Sequence, residues 1–120
     1  MKFSNGMAQT AQEMLFHKAL AITGPKRRDY SGSDSPFANF YNSQAVGVPA
    51  WQGAMVRLMD KVVRIANLAQ VGGTGEVKDE SLLDTAADLL NYTVISLCLI
   101  IESLPEEKAM SMMTSLGFDP

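Results

Sequence analysis

The chain has 120 residues, 47% of them apolar, with a net charge of −3 and one cysteine. That length supports a single domain, 1–120, around one modest core, and the apolar share excludes a disordered chain. The negative charge argues against non-specific nucleic-acid binding, and a lone cysteine excludes an internal disulfide.

Met7 to Ala21 has helical spacing, with Ala8, Ala11, Leu15 and Ala19 along one side. Gly24-Pro25 is expected to stop that helix. His17, the only histidine, carries no chemistry in this reading. Lys26-Arg27-Arg28 follows, three cations that suit a phosphate or an acidic partner, or form a plain charge cluster beyond a helix end. Ser31 to Val48 reads as a long loop with Phe37, Phe40 and Tyr41 embedded. Those rings either anchor the loop on the core or stack on a planar ligand. Asn39 offers an amide to a base edge, or satisfies a backbone turn.

Pro49 to Gln70 reads as the second long helix, with proline in its first turn. Its apolar arc holds Met55, Leu58, Met59, Val62, Val63 and Ile65, and Arg57, Asp60, Lys61 and Arg64 take the opposite arc. Val71 to Gly75 is a turn that matches neither glycine-rich nucleotide fingerprint. The third helix runs from Asp79 to Ser103. At 100° per residue, Glu80, Asp84, Asp88 and Asn91 share an arc of roughly 80°. The rest of its circumference is apolar, which marks a buried helix. Acids on a buried helix need a positive partner: a divalent cation, the basic arc of the second helix, or both. The plain alternative is that the stripe is the helix's solvent edge.

The second half of that helix, Thr93 to Ile101, lacks a polar stripe, which implies cover by a partner chain as well as by its own core. Tyr92 to Ile101 spans about half the length that crosses a bilayer, and no signal peptide is read at the N-terminus. Cys98 reads as a packed thiol in a reducing compartment. The expectation is a cytoplasmic chain with no membrane partner. Pro105-Glu106-Glu107 starts a short fourth helix, and Gly117 fits its C-terminal cap. The fold class is all-α: a bundle of three long helices and a short C-terminal one, expected to oligomerise.

Four motifs in order carry a family resemblance: Lys26-x-x-Asp29-Tyr30-x-Gly32, Asn39-Phe40, Arg57-x-x-Asp60-Lys61-x-x-Arg64-Ile65, and Glu80-x-x-x-Asp84-x-x-x-Asp88-x-x-Asn91-Tyr92. Over about residues 20–100 the chain resembles the phage nucleotide modification associated domain 1 family. It is similar, more distantly, to the MazG and dimeric dUTPase group of all-α nucleoside triphosphate pyrophosphohydrolases. The resemblance implies a MazG-like helical bundle, a homodimer or homotetramer, at work in host cytoplasm on a nucleotide or a nucleotide-derived small molecule. It implies magnesium held by Glu80, Asp84 and Asp88, with Asp60 from the facing helix, and catalysis at Glu80 and Asp84. Lys26, Arg28, Arg57, Lys61 and Arg64 would bind phosphates. Tyr30, Asn39, Phe40, Trp51 and Asn91 would contact base and sugar.

One departure divides the functional readings. The pyrophosphohydrolases carry a Glu-x-x-Glu pair where this chain has Asp60 among Arg57, Lys61 and Arg64. Bases in place of acids weaken metal binding and strengthen direct capture of phosphate. The first reading is a magnesium-dependent pyrophosphohydrolase. The second is a non-catalytic protein that sequesters a nucleotide signal used in anti-phage defence. The third is a helical interaction module whose polar stripes only set oligomer register.

Overall fold

Helix formers dominate the chain between its glycine and proline breaks, and the elements follow those breaks closely with two exceptions. The order is α1 (Asn5–Asp29), a 3₁₀ helix η1 (Ala38–Val46), α2 (Ala50–Val71), α3 (Asp79–Glu102) and α4 (Glu106–Ser115). The computed structural model describes residues 1–29, 36–71 and 79–119, apart from the side chains of 24–29, 71, 79 and 80. No strand occurs among the described residues, and the fold is all-α.

The first exception is α1, which continues through Gly24-Pro25 to Asp29 instead of stopping there. A mid-helix proline removes the hydrogen bond to the carbonyl four residues back and costs about 3 kcal/mol in isolation. Here the turn before it has extra donors. Thr23 Oγ1 donates to the Ala19 carbonyl at 3.3 Å and to Leu20 at 3.2 Å. Asn91 of α3 donates to the same Ala19 carbonyl at 3.0 Å. Packing of α1 on α3 thus outweighs the local breaker.

The second exception is η1, in a segment expected to be loop. Phe40 drives it: the ring is buried with Ala50, Ala54 and Leu99, and Trp51, Tyr92 and Ile95 pack around them. Gly47 ends η1 at φ 78°, a left-handed conformation that a side chain would strain. Gly117 does the same after α4 at φ 105°, as its position in sequence suggested. There Phe118 N–H reaches back to Met113 and Gly117 N–H to Thr114, the two bonds of a Schellman cap.

α3 is the central rod, packed against α1, α2 and α4. α2 runs antiparallel to it: Lys61 meets Asp88 and the later Arg64 meets the earlier Thr85. By length and composition alone, Ser81–Glu102 would suffice to cross a bilayer. Here three other helices lie against it and two of its acids are neutralised by lysines.

Candidate functional site

The α2–α3 interface is where the two polar stripes meet. Thr85, Asp88 and Tyr92 recur at spacings of three and four, so they share the face of α3 turned toward α2. Lys61 Nζ lies 3.3 Å from Asp88 Oδ2, both side chains about 28% exposed. One turn along, Arg64 Nε donates to Thr85 Oγ1 at 3.2 Å, and the Thr85 hydroxyl donates to the Ser81 carbonyl at 2.6 Å. Thr85 is buried, so both contacts satisfy a group that would otherwise be costly.

Aromatic rings line the other side of these cations. The Arg57 guanidinium carbon sits 5.0 Å from the Phe40 ring centroid. Lys61 Nζ sits 5.9 Å from that of Tyr92. The two rings meet edge to face, 6.2 Å apart at 81°. Each cation–π contact contributes on the order of 0.5–1 kcal/mol, and together they hold both cations at one wall.

That wall bounds a cavity of about 310 Å³ between α1, η1, α2 and α3. Arg57, Lys61 and Asp88 supply its charge. Asn39, Asn91 and Thr23 supply neutral polar groups, and Phe37, Phe40 and Tyr92 supply the rings. Leu20, Ile95 and Cys98 close the apolar end. Asn91 is anchored by its bond to Ala19. The Asn39 Oδ1 atom is buried and has no hydrogen-bond partner among the described residues. An orphaned buried amide oxygen costs about 1–3 kcal/mol, which a ligand donor would offset. No carboxylate pairs with Arg57 among the described residues.

The residues expected from sequence are therefore divided. Asn39, Phe40, Arg57, Lys61, Asp88 and Asn91 come together at the cavity. Asp84 does not: it is turned to α1, where Lys18 Nζ holds it at 2.8 Å with its side chain 59% exposed. The expected pairing of acidic with basic stripe holds at Asp88 and is replaced by an α1 contact at Asp84. Asp60 and Arg64 line a separate open groove with Val63, Asn67 and Leu68. Trp51 packs on the core around Phe40 and is not a cavity residue. Tyr30 lies outside the described residues, as do the side chains of Lys26, Arg28 and Glu80.

The expected magnesium set fares poorly among the described residues. A bound Mg²⁺ needs oxygen ligands converging at near-octahedral geometry. No three Asp, Glu, His or Cys side chains come together there. Asp84 and Asp88 each face a lysine, so the described members of the set do not fit the ion.

Sequence reasoning did not single out Tyr92, Phe37, Thr85 or Cys98 as site residues. The signal for Tyr92 and Thr85 was present: both sit three or four residues from Asp88 on the same stripe. Phe37 and Cys98 had none, because their place depends on how η1 folds back over α3. The sequence matches no family model, and no curated protein or solved structure matches it either.

Proposed function

We propose that this chain binds a nucleotide or a nucleotide-derived small molecule in the cavity between α1, η1, α2 and α3, by direct contact with cations rather than through a metal. The observation that carries this is the convergence of Arg57 and Lys61 with Phe40 and Tyr92 on one wall. Guanidinium and ammonium groups suit phosphate, and ring faces and amides suit a base. The volume is at the lower end of small-molecule pockets. Lys61 enters binding by exchanging Asp88 for a phosphate, and Arg57 needs no such exchange. Magnesium-dependent pyrophosphate release, the other reading of the acidic stripe, has less support, because Asp84 and Asp88 face lysines.

The test is a thermal-shift panel of linear, cyclic and base-modified nucleotides in EDTA. The reading expects stabilisation by at least one of them. Stabilisation by none in EDTA, with pyrophosphate released once Mg²⁺ is added, would reverse the choice.

A further inference from the structure

We infer that a second copy of this chain seats on the face of the α2–α3 pair opposite the cavity. Two apolar stripes make that face. On α2, Met55, Met59 and Val62 recur at spacings of four and three, with Val56 and Val63 beside them, and all five are exposed in the single chain. The stripe that α2 turns inward is a different one, Ala54, Leu58, Lys61 and Ile65. At 100° per residue the two are separated by roughly 110°. On α3, Ala86, Leu90, Thr93, Leu97 and Ile100 recur at four and three. They lie roughly 110° from the Thr85–Tyr92 stripe, in the same rotational sense.

Because α2 and α3 are antiparallel, equal rotations in that sense carry both stripes to one side of the pair. Asp84 and Asn91, which meet α1, are rotated the other way, as are the cations of the cavity wall. The result is a continuous two-helix apolar face with α1 and the cavity behind it. Its polar member among these residues, Thr93, is already satisfied by donating to the Leu89 carbonyl at 2.9 Å. Such a face can be buried without stranding a polar group.

The surface area says how much cover is needed. The chain exposes 8780 Å², against ~6,300 Å² for a compact monomer of its 13.0 kDa mass. The excess of about 2,400 Å² exceeds the ~800 Å² that each partner gives to a standard interface. The radius of gyration, 16.9 Å against ~13.6 Å for a compact chain of this length, agrees. A second copy is the occupant that brings an identical pair of stripes, so a twofold axis through the face stacks two helix pairs into a four-helix layer. The inference is independent of any ligand.

Sedimentation equilibrium of the full chain tests it. Wild type is expected at two chains or a multiple of two. Met59→Glu and Leu97→Glu are expected to give single chains that keep their helical circular dichroism. Met14→Glu, on exposed α1, is expected to leave the assembly unchanged. Peroxide oxidation of the wild type needs no folded variant: Met55 and Met59 are expected to oxidise at least tenfold more slowly than Met14. A monomeric wild type overturns the inference, and so does Met59 oxidising as fast as Met14. A monomer that pellets with phosphatidylcholine vesicles overturns it in favour of a lipid surface.

Discussion

Lys61 and Asp88 face each other at 3.3 Å across the α2–α3 interface, and both belong to the wall of the same cavity. Neutralising either side removes one half-buried ion pair. We expect Lys61→Met and Asp88→Asn each to destabilise the chain by on the order of 1 kcal/mol in urea melts, with a coupling of similar size in the double variant. Their effects on an anionic ligand have opposite signs. Lys61→Met weakens binding, and Asp88→Asn strengthens it by removing a competitor for the ammonium. Equal losses of affinity in both variants would mean that the pair acts only as scaffold.

Asn91 ties the central helix to α1 through the Ala19 carbonyl at 3.0 Å. Asn91→Leu removes that donor beside Pro25, where the helix is already short of one. We expect a loss of about 1–2 kcal/mol and faster amide exchange in the second half of α1. Exchange that rises evenly over all helices would contradict a local role.

Tyr41 of η1 donates its hydroxyl to Glu102 at the end of α3. That hydrogen bond, together with partial burial and the glutamate's charge, pushes the phenol from 10 to about 12. The bond holds the phenol protonated in the folded chain, so its contribution is complete below pH 10. It is lost as pH rises from 10 to about 12. We expect Tyr41→Phe to cost on the order of 1 kcal/mol at neutral pH, since the pair is open to solvent. The gap between variant and wild type should close above pH 10. A gap that widens there would contradict the assignment.

Ala54 is fully buried between η1 and α3, next to Phe40 and Leu99. A larger side chain has no room there. Ala54→Leu is expected to cost about 1–3 kcal/mol by displacing η1, and with it the Phe40 wall of the cavity. Ala66→Leu, on the exposed side of the same helix, is the control and should be near neutral.

The α2, α3 and α4 boundaries were legible because proline, glycine and acidic first-turn residues sit where propensity and periodicity agree. The pairing of Lys61 with Asp88 was legible too, since helical spacing alone puts both on facing stripes. η1 was not, because nothing local distinguishes Ala38–Val46 from a polar loop until Phe40 finds its pocket against Leu99. The continuation of α1 past Pro25 depends on Asn91, seventy-two residues away from Ala19. The partner of Asp84 depends on the same placement: with α1 laid along α3, Lys18 reaches it before any group on α2 does.

Titration calorimetry in EDTA, comparing wild type with Arg57→Ala, tests the central claim most directly. The proposal predicts that a nucleotide binds wild type with metal removed and is recovered chemically unchanged. It also predicts that the variant, still folded, binds at least tenfold more weakly. Heat of binding that appears only with added magnesium, or affinity that is the same in both proteins, would contradict it.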